Sequence, residues 1–280
     1  MRALLAELAD LLLPGSCAGC EVPGRSPCAR CSAALRGPVS PVPGFDLPGL
    51  GVPGLELAGW CWSGGVYEGA LRGLLLAYKE HKQHALADPL GVLLARVVVA
   101  GLAADPWPSA GSAASAASVS RAGPGGSGGA GGRAGGLGGP VCLVPVPSGA
   151  AVARARGGQH VHRVAVAAAR ELRRAGLRAR ASPALRVVAT RRDSAGLTVA
   201  ERAENVRGAF AVRAFWRRSG GLAVLVDDLV TTGSTLAEAG RVLATAGVPP
   251  SFAATLAATP RRLPRRRCQS PPGDGEAGSL

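Results

Sequence analysis

Leu222-Ala-Val-Leu-Val-Asp-Asp-Leu-Val-Thr-Thr-Gly-Ser-Thr-Leu236 reads as a buried strand that stops at Asp227 and Asp228, turns through Thr231, Thr232, Gly233, Ser234 and Thr235, and enters a helix. Five apolar residues in a row, with valines among them, suit a strand covered on both faces, the arrangement of a parallel sheet. Leu236 to Leu243 then follows helical apolar spacing, and the hydroxyl residues before it stand where N-caps belong. A turn of small residues between such a strand and helix presents unpaired backbone N–H groups and the positive end of the helix dipole. Together these make a phosphate cradle.

Two negative charges beside a phosphate site are unfavourable unless they bind something else. Ribose hydroxyls are good donors to a carboxylate pair, and a magnesium ion would screen both charges. The combination points to a phosphorylated sugar. An acidic pair after a hydrophobic strand also occurs in P-loop NTPases, but these need G-x-x-x-x-G-K-[ST], and the chain has none. Its only lysines are Lys79 and Lys82. A receiver-type acidic pocket fails on the same ground, since it wants a lysine in this half of the chain.

Outward from this stretch, helices alternate with strands. Tyr67 to Lys79, 85–104 and Gln159 to Ala175 have helical apolar stripes, while Val141 to Pro147, Leu185 to Ala189 and Ser251 to Ala258 read as strands. The alternation predicts an α/β fold with a parallel sheet, right-handed crossovers and a ligand at the carboxyl ends of the strands. The loop after Val141–Pro147 carries Arg154 and Arg156, which suit a pyrophosphate through bidentate guanidinium contacts; a solvated basic loop is the alternative. The segment from Thr190 to Phe210, with Arg191, Arg202 and Asn205, is too polar for core and long enough to be a mobile loop that closes over a substrate.

Four of the seven cysteines form Cys17-x2-Cys20 and Cys28-x2-Cys31. Each pair chelates from one tight knuckle, and two knuckles complete the tetrahedral set of a structural zinc ion; a redox pair is the alternative. Cys61, Cys142 and Cys268 are isolated, with Cys142 expected in the core. His81 and His84 are expected to face solvent. The expected organisation is a helix and four-cysteine module over 1–37, a Pro/Gly linker over 38–54, the main domain over 55–259 and a basic tail over 260–280. Residues 105–140 form a Gly/Ser/Ala insertion too poor in apolar surface to fold. A net charge of +14 and pI near 11.0 would suit nucleic acid, but nearly all of it is arginine in an Ala- and Gly-rich chain, and part sits in Arg261–Arg267. The leucines of residues 1–13 mark an amphipathic helix, with Glu7 and Asp10 breaking any signal-peptide core. No membrane span and a cytoplasmic location are expected.

The hydrophobic run, Asp227-Asp228 and Thr231-Thr-Gly-Ser-Thr235 resemble the phosphoribosyl pyrophosphate (PRPP) motif of type I phosphoribosyltransferases. That resemblance implies that the acidic pair holds the ribose 2- and 3-hydroxyls and the Thr/Gly loop the 5-phosphate, with magnesium accompanying PRPP. The four-cysteine head, Tyr67…Leu71-Arg72…Tyr78-Lys79, Val144-Pro-Val-Pro147…Arg156-Gly157 and Arg202-x-x-Asn205-Val206…Phe210 further resemble, in order, the ComF family of competence-associated proteins. Where many relatives have Arg-Gly-Phe-Asn-Gln, this chain has Arg156-Gly-Gly-Gln-His160. The resemblance implies a type I phosphoribosyltransferase-like domain with a small N-terminal zinc module, transferring the phosphoribosyl group to an unknown acceptor with release of pyrophosphate. The rival expectation is a non-catalytic PRPP- or nucleotide-binding protein serving DNA uptake or regulation. Nucleic acid, DNA-uptake machinery and a second copy of the chain stay open as partners.

Overall fold

A computed structural model of the chain describes residues 15–42, 61–104, 139–188, 206–213 and 221–260. In chain order the strands are β1 (Ser40–Pro41), β2 (Cys61–Ser63), β3 (Val141–Pro145), β4 (Ala179–Ala181), β5 (Leu185–Val187), β6 (Phe210–Val212), β7 (Leu222–Val230) and β8 (Phe252–Ala258). The α-helices are α1 (Ala29–Ala34), α2 (Gly69–Lys79), α3 (Ala87–Ala104), α4 (Ala150–Ala155), α5 (His160–Arg174) and α6 (Ser234–Thr245).

The apolar run that begins β7 makes it a central strand, paired in parallel with β8 on one side and β3 on the other. The whole sheet has the order β1-β2-β8-β7-β3-β4, and every pairing is parallel except the edge pair of β1 with β2. The chain is therefore α/β with a mostly parallel mixed sheet.

Alternation along β7 divides the core. Val224 and Val226 face a cluster that includes Leu74 and Leu75 of α2, Leu90 and Leu94 of α3, and Val164 and Ala168 of α5. Leu225 faces the opposite cluster, with Leu236, Ala239 and Leu243 of α6 and with Leu185 and Phe210. Helices thus cover both faces, which is why β3 and β7 read as nearly unbroken apolar runs.

Three expectations change. The strand from Leu185 does not join the main sheet; β5 and β6 form a separate antiparallel pair. The arginine within Ala179-Arg-Ala181 concealed edge strand β4, and the segment expected as an arginine loop contains the short helix α4, rich in alanine. β7 does not stop at the acidic pair but continues to Val230. Cys142 is buried in β3 as expected, and Cys61 is buried in β2. His84 to Ala104 is long and apolar enough to cross a membrane, yet more than half of it is buried against the rest of the protein.

Candidate functional site

After β3 the chain crosses to β4, and after β7 it crosses the other way to β8. The carboxyl ends of the adjacent strands β3 and β7 therefore form a topological switch point, where the two connections part and leave a crevice. A cleft of about 590 Å³ opens there. Its walls are the segment Val146–Val152, which runs from the end of β3 into the first turn of α4, Asp227 and Asp228 of β7, Thr235 of α6, and Lys79, Arg156, His160, Val187 and Val188.

Asp227 and Asp228 both line the cleft, and β7 does not alternate strictly across them: Val224, Val226 and Leu229 pack with one cluster, Leu225 and Val230 with the other. Asp228 follows Val224 and Val226 onto the face covered by α2 and α5. There Lys79, the last residue of α2, places Nζ 3.0 Å from Asp228 Oδ2. His160, the first residue of α5, meets the same oxygen through Nε2. Asp228 and His160 are both buried. Burial alone would raise the Asp228 carboxyl, but the Lys79 ammonium and the His160 hydrogen bond outweigh it and hold it below the usual carboxylate range. Lys79 moves the other way: burial opposes its charge, and Asp228 more than compensates, so its ammonium is held above the ordinary lysine value. Tyr78, one residue earlier, donates from Oη to the main-chain oxygen of His160 at 2.9 Å, which ties α2 to the start of α5. Burial pushes the Tyr78 phenol up to about 12. Asp227 Oδ1 accepts from the Asp228 N–H at 2.9 Å.

Thr231, Thr232 and Gly233 form the turn, and Ser234 opens α6. Gly233, the N-cap, has φ of 82°, a left-handed backbone that favours glycine. It offers no side chain to cap the helix, and the hydroxyls of Thr232 and Ser234 hydrogen bond to each other at 2.9 Å. First-turn N–H groups have no intrahelical acceptor, so this end of a twelve-residue helix can receive an anion.

Of the two arginines expected at a pyrophosphate, Arg156 lines the cleft and pairs with Glu80 at 2.8 Å, whereas Arg154 is exposed and lies outside the cleft lining. The loop between them and β3 is braced by Gln159, whose amide donates to the Ser148 carbonyl at 3.0 Å and accepts from its N–H at 2.9 Å. His81 is exposed as expected; His84 is half-buried, and its Nδ1 accepts from Arg163 at 2.7 Å. Arginine only donates, so His84 carries its hydrogen on Nε2. Burial, and after it the charges of Arg163 and Lys82, lower its basicity. Arg191, Arg202 and Asn205 lie outside the described residues, as do Cys268 and the tail.

In the head, the Sγ atoms of Cys17, Cys20, Cys28 and Cys31 all lie within 4.8 Å of one another. The Cys20 and Cys28 sulfurs are 3.5 Å apart, against roughly 3.8 Å for thiolates on one tetrahedral zinc. The cluster is compatible with a structural zinc site. Burial opposes ionisation of Cys17, but the Cys28 N–H at 3.3 Å and further donors draw its thiol down to about 6.

The cation expected beside the acidic pair fits less well. Magnesium requires oxygen ligands in near-octahedral array. Asp228 Oδ2 already carries an ammonium and a ring nitrogen. No protein-family model matches this chain, and no curated protein matches it.

Sequence reasoning missed Lys79 and His160 as site residues. Both left a signal: Lys79 is one of two lysines among 32 basic residues, and His160 stands four residues before Val164 on the buried stripe of α5.

Proposed function

We propose that this protein binds PRPP in the β3–β7 cleft and transfers its phosphoribosyl group to an acceptor with release of pyrophosphate. The observation that carries the reading is the meeting, at a switch point between parallel strands, of a capless helix N-terminus with two carboxylates. In this reading the first-turn amides of α6 with Thr231, Thr232, Ser234 and Thr235 take the 5-phosphate, and Asp227 and Asp228 take ribose hydroxyls. Arg156 faces the leaving pyrophosphate. Displacement at the anomeric carbon builds positive charge on the sugar, so fixed positioning and neutralisation of the leaving group are what the residues supply. The four-cysteine head holds a structural zinc ion, and the order of motifs supports placement near the ComF family.

One observation favours a second reading, in which the same cleft binds PRPP or a nucleotide without turnover and serves DNA uptake or regulation. Arg154 is exposed away from the cleft and Arg156 is engaged by Glu80, which thins the positive charge on the leaving-group side. Pyrophosphate release from PRPP across a panel of nucleobases and amines separates the two. The transferase reading expects release with one acceptor class, abolished in Asp228→Asn. PRPP binding without release supports the second reading, and absence of PRPP binding contradicts both.

A further inference from the structure

Two donors of the chain converge on a single carboxylate oxygen in the cleft. Lys79 Nζ lies 3.0 Å from Asp228 Oδ2, and His160 Nε2 reaches the same atom. The state of the imidazole follows from its surroundings. A carboxylate oxygen accepts, so Nε2 carries the hydrogen. The other nitrogen, Nδ1, is buried with no hydrogen-bond partner among the described residues. His160 therefore donates from Nε2, and Lys79 brings its ammonium to the same oxygen.

A divalent ion has little to gain at this carboxylate. Its approach to Oδ2 meets an ammonium already 3.0 Å from that oxygen and the His160 ring nitrogen on the same atom. Lys79 is also fixed in place. It ends an eleven-residue helix whose Leu74, Leu75 and Tyr78 are buried, and Tyr78 is tied to the main chain of His160.

We propose that Lys79 is a built-in counter-cation for Asp228, aligned by His160, so that the cleft accepts a ribose phosphate with no divalent ion on the protein's own carboxylates. The inference rests on the phosphoribosyl reading for its ligand, but its statement about Asp228 does not. Magnesium carried on a pyrophosphate is substrate-bound and lies outside it.

Two measurements on the full chain test it. The first is binding of Mn²⁺ by electron paramagnetic resonance up to millimolar concentration, in wild type, Asp228→Asn and Lys79→Met. Equal binding by wild type and Asp228→Asn, with one added site in Lys79→Met, is the expected result. A Mn²⁺ site in wild type that Asp228→Asn lacks overturns the proposal. Wild type and Asp228→Asn alone decide the point if Lys79→Met does not fold. The second is calorimetric titration with ribose 5-phosphate in chelator and in magnesium. Affinities within about threefold of each other support the proposal, and a larger gain from magnesium overturns it. Should the sugar phosphate bind in neither buffer, the phosphoribosyl reading falls while the Mn²⁺ comparison still decides the role of Lys79.

Discussion

Asp228 is buried with an ammonium and an imidazole on one oxygen, so removing either donor leaves a charge or polar group stranded. Lys79→Met removes the ammonium paired with Asp228 and is expected to destabilise the fold by about 3–5 kcal/mol, read from denaturant midpoints. His160→Leu removes one hydrogen-bond donor to Asp228 and is expected to cost about 1–3 kcal/mol. Linkage gives the pH dependence of the same contact. The Asp228 carboxyl is held below its unfolded value, so its contribution is present above about pH 3.9 and is lost as pH falls through the folded value. Lys79 is held above its unfolded value, so its contribution is present below about pH 10.4 and is lost as pH rises through the folded value. These are two ends of one interaction. The stability difference between wild type and Asp228→Asn should therefore be flat across neutral pH and shrink at both extremes, measured by urea unfolding at each pH. The sequence marked Asp227 and Asp228 through the apolar run before them, but not their partners. Lys79 lies far from them in the chain, and only the packing of α2 and α5 on one face of the sheet brings it to the strand end.

At the scale of elements, α6 carries the candidate phosphate cradle at one end and an anchor at its middle. Glu238 is buried, its carboxylate accepts the Gly208 N–H at 2.8 Å, and Arg241 forks onto it with two contacts of 2.7 Å. The fork, followed by the Gly208 contact, holds the Glu238 carboxyl below its ordinary range despite burial. Glu238→Ala should cost about 1–3 kcal/mol, with faster exchange of the Gly208 amide as the site-specific readout. The strands β3, β7 and β8 and the helices α2, α3, α5 and α6 were legible because each has a sustained period or a long apolar run. The elements β2, β4, β6 and α4 are three to six residues long. Such pieces are fixed by what they pack against, and their local composition carries little pattern. The extension of β7 to Val230 was hidden for a related reason: charged residues mark a strand's end only when it reaches water, and here α2 and α5 cover Asp228.

In the whole molecule, the cysteine head is continuous with the cleft through α2. Cys17, Cys31 and Leu35 share a core cluster with Leu74 and Leu75, and Arg96 of α3 donates to the carbonyls of Leu35 and Gly37 at 2.8 and 2.7 Å. The knuckle presses on α2 closely enough that a Cβ at Gly73 would lie 2.6 Å from the Ala18 carbonyl oxygen and 3.1 Å from Gly19 Cα. Gly73→Ala must push the knuckle away and should cost about 1–3 kcal/mol while weakening metal retention, measured by thermal melts and a chromophoric chelator. In the zinc-bound form that we propose, stripping the metal should likewise loosen α2, and with it Lys79, seen as faster amide exchange in residues 74–79. The central claim is that the turn after β7 grips a sugar phosphate, and amide exchange with and without saturating PRPP tests it most directly. The account predicts slowed exchange at residues 233–236, lost in Asp228→Asn; exchange there that PRPP leaves unchanged contradicts it.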